Sequence, residues 1–261
     1  MKIIVCLKQV PGTTEVKIDP QTSTLVRRGI KNIINPFDTY AIEEGVRLRE
    51  RYGGEVTAVT MGPPQAEEAL REAISVGADT ALLLSDSAFA GADTWATAFT
   101  LAQAIKNVSP YDLVICGRQT IDGDTGQVAP ELAEMLQLPF IAYVSQIEAI
   151  DNGLMRVRRM VEAGHEIVEA PLPSVISVTK EINTPRLPSL RGISRAKNAA
   201  IPVWNADKIG ADESLVGLRG SNTRVTKIFF PQRHRQGEIL HGELENQVDD
   251  LVSRLKNSGL A

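Results

Sequence analysis

Cysteine is scarce in this chain: Cys6 and Cys116 are the only two in 261 residues. Both stand in apolar runs, and neither belongs to a Cys-x-x-Cys or Cys/His cluster, which leaves no thiolate set to hold a metal. They read as small buried hydrophobes in a reducing compartment, and the expected location is cytoplasmic. The three histidines, His165, His234 and His241, share no metal-ligand spacing. No apolar run reaches the roughly 18 residues that a membrane helix needs, and Met-Lys-Ile-Ile-Val-Cys-Leu-Lys is too short for a signal-peptide core. Positive charge is not in excess either; a net charge of −4 argues against a nucleic-acid-binding surface. Neither the P-loop spacing nor the glycine fingerprint of dinucleotide-binding folds occurs.

What is present is an alternation of short apolar runs with amphipathic stretches, in a chain long enough for one large α/β domain with extensions. Lys2 to Leu7, Val56 to Met61, Thr80 to Leu84 and Leu113 to Cys116 read as buried strands. Helical patterns follow them: one from Asn35-Pro36-Phe37-Asp38 to Gly53-Gly54, one stopped by Gly77, and one introduced by Gly91-Ala92-Asp93-Thr94. Such alternation predicts a doubly wound, mainly parallel α/β sheet covered on both faces. Val16 to Pro20 and Thr24 to Arg27 predict a small hairpin excursion. After Pro139 the period changes to two over Ile141 to Ala149, Leu154 to Val161 and Glu166 to Glu169, which predicts an antiparallel hairpin insertion before Ser174 to Val178 returns to a buried strand. Asn183 to Arg191 has two prolines and no periodicity, so an exposed loop is expected. Ile228 to Pro231 and a final helix over Leu244 to Lys256 complete the chain, giving a nucleotide-binding domain over 1–190 and a C-terminal arm over 191–261 that packs on another subunit.

The stretch from Tyr111 to Leu136 carries the chemistry. It reads as strand, glycine-bearing polar loop and helix, with Gly117, Gly123 and Gly126 easing the backbone. Asp124 or Thr125 is expected to cap the helix, whose first N–H groups would favour an anion such as phosphate. Asp122 and Asp124 have no histidine or paired acid nearby in sequence, so they are assigned to binding and no catalytic residue is expected. Phosphates are expected over Gly123 to Val128, and an adenosine end near Cys6, Asn35, Met61 and Gly117, where successive strands end. The charged residues Arg158, Arg159, Glu162, Glu166 and Glu169 suit either a solvated hairpin face or contacts with another subunit.

Several motifs in order resemble the beta (small) subunit of electron-transfer flavoproteins. They are Val5 to Pro11, Asn35 to Asp38, Met61 to Pro63, Gly117 to Gln127, Arg158 to Glu169 followed by Leu172 to Val175, and Asn183 to Leu190. The resemblance spans essentially the whole chain. It implies a heterodimer with an alpha subunit carrying a mobile FAD, so that this chain is no enzyme alone, and a partner dehydrogenase such as an acyl-CoA dehydrogenase. It also implies a nucleotide in the small subunit, either a structural AMP or, in electron-bifurcating members, a second FAD that accepts hydride from NADH. The small residues of Gly91 to Thr94 and of Asp122 to Gly126 favour FAD and the bifurcating type, although Ala90 stands where that pattern prefers glycine. Candidate cofactor-binding residues are Cys6, Lys8, Asn35, Phe37, Asp38, Met61, Gly62, Asp93, Thr94, Thr97, Gly117, Gln119, Thr120, Asp122, Gly123, Asp124, Thr125, Gly126, Gln127 and Val128. Pro185, Arg186, Leu187 and Leu190 are the implied partner-recognition residues, and Phe37 reads either as a core residue or, by the resemblance, as a wall against the alpha-subunit flavin. A non-redox adenine-nucleotide-binding module is the competing expectation; it would be colourless.

Overall fold

A computed structural model describes residues 1–12, 17–18, 25–26, 31–226 and 237–260. The elements run in chain order as β1 (Lys2–Cys6), β2 (Gln9–Pro11), β3 (Lys17–Ile18), β4 (Leu25–Val26), β5 (Asn32–Ile34), α1 (Pro36–Tyr52), β6 (Glu55–Met61), α2 (Glu67–Val76), β7 (Thr80–Leu84), α3 (Thr94–Val108), β8 (Leu113–Gly117), α4 (Val128–Leu136), β9 (Phe140–Asp151), β10 (Leu154–Val161), β11 (Gly164–Pro171), β12 (Ser174–Val178), α5 (Leu190–Asn198), β13 (Val203–Trp204), α6 (Ala206–Ile209), α7 (Gly217–Gly220) and α8 (Leu244–Asn257). Antiparallel pairing of β3 with β4 matches the hairpin excursion over those four residues. The rest of that excursion, the expected strand at Ile228 to Pro231 and His234 lie outside the described residues.

Nine strands form one sheet in the order β11-β10-β9-β12-β8-β1-β6-β7-β13. From β9 to β13 every neighbour is parallel, and β10 and β11 are added antiparallel at one edge. The doubly wound, mainly parallel fold read from the sequence is therefore the observed one. Its cause is visible in β1, whose Ile3 and Val5 face the layer containing α1 and α2 while Ile4 and Cys6 face that containing α3 and α4. With both faces covered, the strands read as continuous apolar runs. The insertion after Pro139 has one feature the alternation did not show: β9 begins as a parallel neighbour of β12, through Phe140 and Ile141, and continues as an antiparallel partner of β10. Tyr143, with φ +59°, sits where the β9–β12 register shifts.

Helix boundaries follow their local chemistry. Pro36 starts α1 after the cap position Asn35, and Gly53 ends it at φ +72°. Asp93 caps α3 by accepting the Ala96 N–H at 3.0 Å. At Gly192, a side chain would collide with the Ser75 carbonyl oxygen, so glycine lets α5 approach α2. The two helices also exchange arginines. Arg71 of α2 donates to the carbonyls of Ala196, Lys197 and Ala199 at the end of α5, and Arg195 of α5 donates to those of Ile74 and Ala78 at the end of α2. Each helix thus satisfies the other's terminal carbonyls with a cation placed where the helix dipole favours one.

The first compact unit covers Met1–Thr226 and includes α5 to α7; the second covers Lys227–Ala261. Within the second, α8 leaves Leu244, Val248, Leu251 and Leu255 exposed along one stripe.

Candidate nucleotide site at the switch of strand order

From β1 the sheet runs through β6 and β7 on one side, and the chain then returns to place β8 on the other. The crevice outside the carboxyl ends of β1 and β8 is where an open α/β sheet takes a ligand. A cavity of about 320 Å³ lies there. Its floor is Cys6 and Cys116, its walls are Leu7, Lys8, Met61 and the start of α3 with Asp93, Thr94, Thr97 and Leu101, and its far side is the loop from Gly117 into α4.

Buried polar groups hold the two strand ends and the loop together. Asp38, in the first turn of α1, is 4% exposed and accepts the Lys8 N–H at 2.8 Å. The Asn35 side chain and the Gly117 N–H also favour its charged form. Burial outweighs these interactions and pushes its carboxyl up to about 7. A side chain at Gly117 would strike Asp38, so this strand end must be bare. Asn35, fully buried, donates to the Gln119 carbonyl at 2.8 Å and accepts the Ile121 N–H at 3.1 Å, which fixes the loop from beneath.

Above that tether the loop has its own geometry. Lys8 and Asp122 form a 2.7 Å ion pair. Burial would raise the Asp122 carboxyl, but its bonds and charge contact with Lys8 prevail and hold it below the usual range. Asp124 has left-handed φ of 55°, gives its N–H to the Thr120 carbonyl at 2.8 Å and takes a hydrogen bond from the Gln119 amide. Gly126, at φ +64°, leads into the helix. Neither Asp124 nor Thr125 caps α4 as expected: the cap position is Gln127, with no side-chain cap, because Asp124 lies too early in the loop and is bonded to Gln119. Thr125 only approaches the Gln127 N–H, at 3.5 Å. The first N–H groups of α4 are therefore left without a side-chain acceptor at the cavity wall, as an anion would require. Thr94 joins α3 to α4 by donating to Glu131 at 3.1 Å, and burial raises the Glu131 carboxyl.

Of the candidate residues, Cys6, Lys8, Asp38, Met61, Asp93, Thr94, Thr97, Gly117, Gln119, Thr120, Gly123, Thr125, Gly126, Gln127 and Val128 converge on this cavity. Asn35, Phe37, Gly62, Asp122 and Asp124 are not on its surface: Asn35, Asp122 and Asp124 brace the loop, and Gly62 packs tightly against Ala66. Leu7, Leu101, Cys116, Arg118 and Ala129, none of them among the candidates, also line it, as does Ala92 of the small-residue stretch before α3. Leu101 was legible in principle, four residues beyond Thr97 on one helix face. Arg118 was not, since only the fold brings it to 4.9 Å from the ring of Tyr143.

The implied partner loop lies elsewhere. Arg186 is clamped by Glu43 and Glu50 of α1, at 2.8 and 2.6 Å. Although burial opposes it, the Arg186 bonds and those from Arg47 hold the Glu43 carboxyl low. Pro185 is half-buried, whereas Leu187 and Leu190 are 89% and 90% exposed. Ser189 caps α5 directly before Leu190 by accepting the Gly192 N–H at 3.0 Å.

Comparison with known proteins agrees with this architecture. The family model described as electron transfer flavoprotein domain matches residues 22–209. The chain belongs to the electron transfer flavoprotein family. It is 49% identical to the electron transfer flavoprotein subunit beta of Thermoanaerobacterium thermosaccharolyticum, over 98% of both chains. It is 47% identical, again over 98% of both, to the caffeyl-CoA reductase-Etf complex subunit CarD of Acetobacterium woodii. With protein FixA of Sinorhizobium fredii it shares 41% identity over 99% of this chain and 93% of the relative. Within the family it is a beta subunit, which implies an alpha-subunit partner and a part in flavin-linked electron transfer. No helix among the described residues is long and apolar enough to cross a membrane.

Proposed function

We propose that this beta subunit holds FAD in the cavity at the switch of strand order and that its heterodimer is of the electron-bifurcating type, oxidising NADH and dividing the electrons between two acceptors. The observation that carries the reading is the α4 start, whose uncapped N–H groups meet a wall of small residues including Ala92, Gly123 and Gly126. That arrangement suits a phosphate, and the neighbouring small side chains leave room beyond it. A relative named as part of a caffeyl-CoA reductase-Etf complex supports a reductase partner. Bound FAD would supply the hydride and electron chemistry.

The residues of this chain do the rest. Val128 and Ala129 offer backbone donors, Gly126 keeps the approach open, and Lys8 with Asp122 and Asn35 hold the loop still. Asp93 fixes the start of α3 by taking both the Ala96 and Thr223 N–H groups. Phe37 is proposed as a wall toward the alpha-subunit flavin. Of residues 191–261, those of the second unit, 227–261, are proposed to act as an arm on the alpha subunit, with the exposed stripe of α8 as the apolar face. Leu187 and Leu190 would enter a pocket on a partner dehydrogenase, such as an acyl-CoA dehydrogenase. Two free thiols agree with a cytoplasmic setting.

AMP is the second reading, favoured by the cavity volume of about 320 Å³, near the lower end of ligand pockets. The deciding measurement is flavin content of the reconstituted heterodimer together with its reduction by NADH. Two FAD per heterodimer and prompt reduction are expected. One FAD plus one AMP, with no response to NADH, would assign the conventional carrier instead. Independently, Gly126→Glu should empty the site, because it sets a charge and bulk where the phosphate approaches; unchanged nucleotide content would refute the placement.

A further inference from the structure

Cys6 at the end of β1 and Cys116 at the end of β8 stand opposite one another on adjacent parallel strands. Opposed residues leave the same face of a sheet, and both belong to the core layer beneath α3 and α4. Both are free and buried, and both form the cavity floor. Nothing in the layer calls for sulfur: two residues earlier on the same face, Ile4 opposes Val114.

We propose that Cys6 and Cys116 form a dithiol site for thiophilic electrophiles that accept two sulfur ligands, with trivalent arsenicals as the type, and that a molecule held in the cavity covers this site. The reaction balances without an oxidant. An aryl arsenoxide forms two arsenic–sulfur bonds while the two S–H bonds break, the arsenic–oxygen bond is lost, water leaves, and arsenic stays trivalent. A one-point alkylating reagent gains little at Cys116. The neighbouring Cys6 thiol, then burial, holds the Cys116 thiol above its usual range, so little Cys116 thiolate is available near neutral pH. A two-point reagent differs because its second bond forms within one molecule, at high effective concentration. The dithiol stands on the strand register alone, whereas its covering rests on the proposed nucleotide occupancy.

The test uses the full-length chain in complex with its alpha subunit, stripped of nucleotide and checked for residual nucleotide after denaturation. Phenylarsine oxide is added, and the intact mass of each subunit is measured. This subunit is expected to gain one phenylarsenic group, to lose both titratable thiols, and to recover them with excess 2,3-dimercaptopropanol. Refilling with FAD or AMP to about ten times the dissociation constant should slow the labelling by about tenfold. Cys6→Ala and Cys116→Ala should each lose the dithiol-reversible adduct; if one fails to fold, the other and the wild-type masses still decide. Two thiols left free in the nucleotide-free complex, the same adduct in a single variant, or equal labelling with nucleotide measured as bound would each overturn the proposal. If neither nucleotide binds, the occupancy reading fails, and labelling of the unfilled complex decides the dithiol by itself.

Discussion

Replacing Asp38 by asparagine should change how stability depends on pH, and the structure gives the direction. The Asp38 carboxyl is buried, faces Lys8, Cys6 and Cys116, and has its pKa raised from 3.8 to about 7, chiefly by burial. The folded chain therefore holds this proton more tightly than the unfolded chain. Its contribution to stability is complete below about pH 3.8 and is lost as pH rises through about 7. At about 1.4 kcal/mol per pKa unit, that interval corresponds to about 4 kcal/mol, with a slope approaching about 1.4 kcal/mol per pH unit inside it. Asparagine does not titrate, and any loss from a misdirected amide is independent of pH. Urea unfolding of both forms from pH 4 to 8, at fixed protein and ligand concentration, isolates the effect as a difference. The wild type should lose ground steadily to Asp38→Asn as pH rises. A difference that stays flat would show that Asp38 does not titrate in this window. Had hydrogen bonding outweighed burial and kept the carboxylate charged, the wild type would instead lose stability only as pH falls below about 4.

Other substitutions address separate links. Asn35→Ala removes two part-buried hydrogen bonds to the loop, so it should cost roughly 1–3 kcal/mol in urea unfolding and weaken nucleotide retention; intact retention would show that the loop holds itself. Gly192→Ala should drive α5 from α2 at a cost of roughly 1–3 kcal/mol, read as a lower midpoint of thermal unfolding. In a double-mutant cycle, Arg71→Met and Arg195→Met should prove coupled, since each loosens the helix that the other's guanidinium caps; strict additivity would deny it. Leu190→Ala should change stability by no more than about 0.5 kcal/mol, leave bound flavin in place and slow electron transfer to the partner dehydrogenase; equal rates would remove Leu190 as the anchor.

The parallel sheet was legible because its strands are buried on both faces and its helices carry ordinary boundary signals, such as Pro36 at the start of α1 and Asp93 before α3. The strand ends that make the cavity could be named for the same reason: a carboxyl end at Cys6 or Gly117 is fixed once the strand is fixed. What could not be read is contact across distance in the chain. The roles of Asn35 and Asp122 as braces depend on residues 84 and 114 positions away, and neither pairing leaves a local pattern. Capping by Asp124 was the natural inference from composition, yet its left-handed backbone and its bond with Gln119 direct it into the loop. The split role of β9 escaped for a related reason, because period two reports a half-buried strand without saying which neighbour lies on either side.

The position of β12 has a consequence for synthesis on the ribosome. Its five residues are all buried, between β8 and β9, although the chain reaches them only at Ser174 to Val178. A nascent chain interrupted after β11 would have β8 and β9 without the strand that joins them, exposing two apolar inner edges where the finished sheet has none. Such edges invite pairing with other chains. Translation pauses between residues 171 and 178 should therefore be the most damaging in this protein, and chains truncated there should aggregate more readily than chains truncated after Val178.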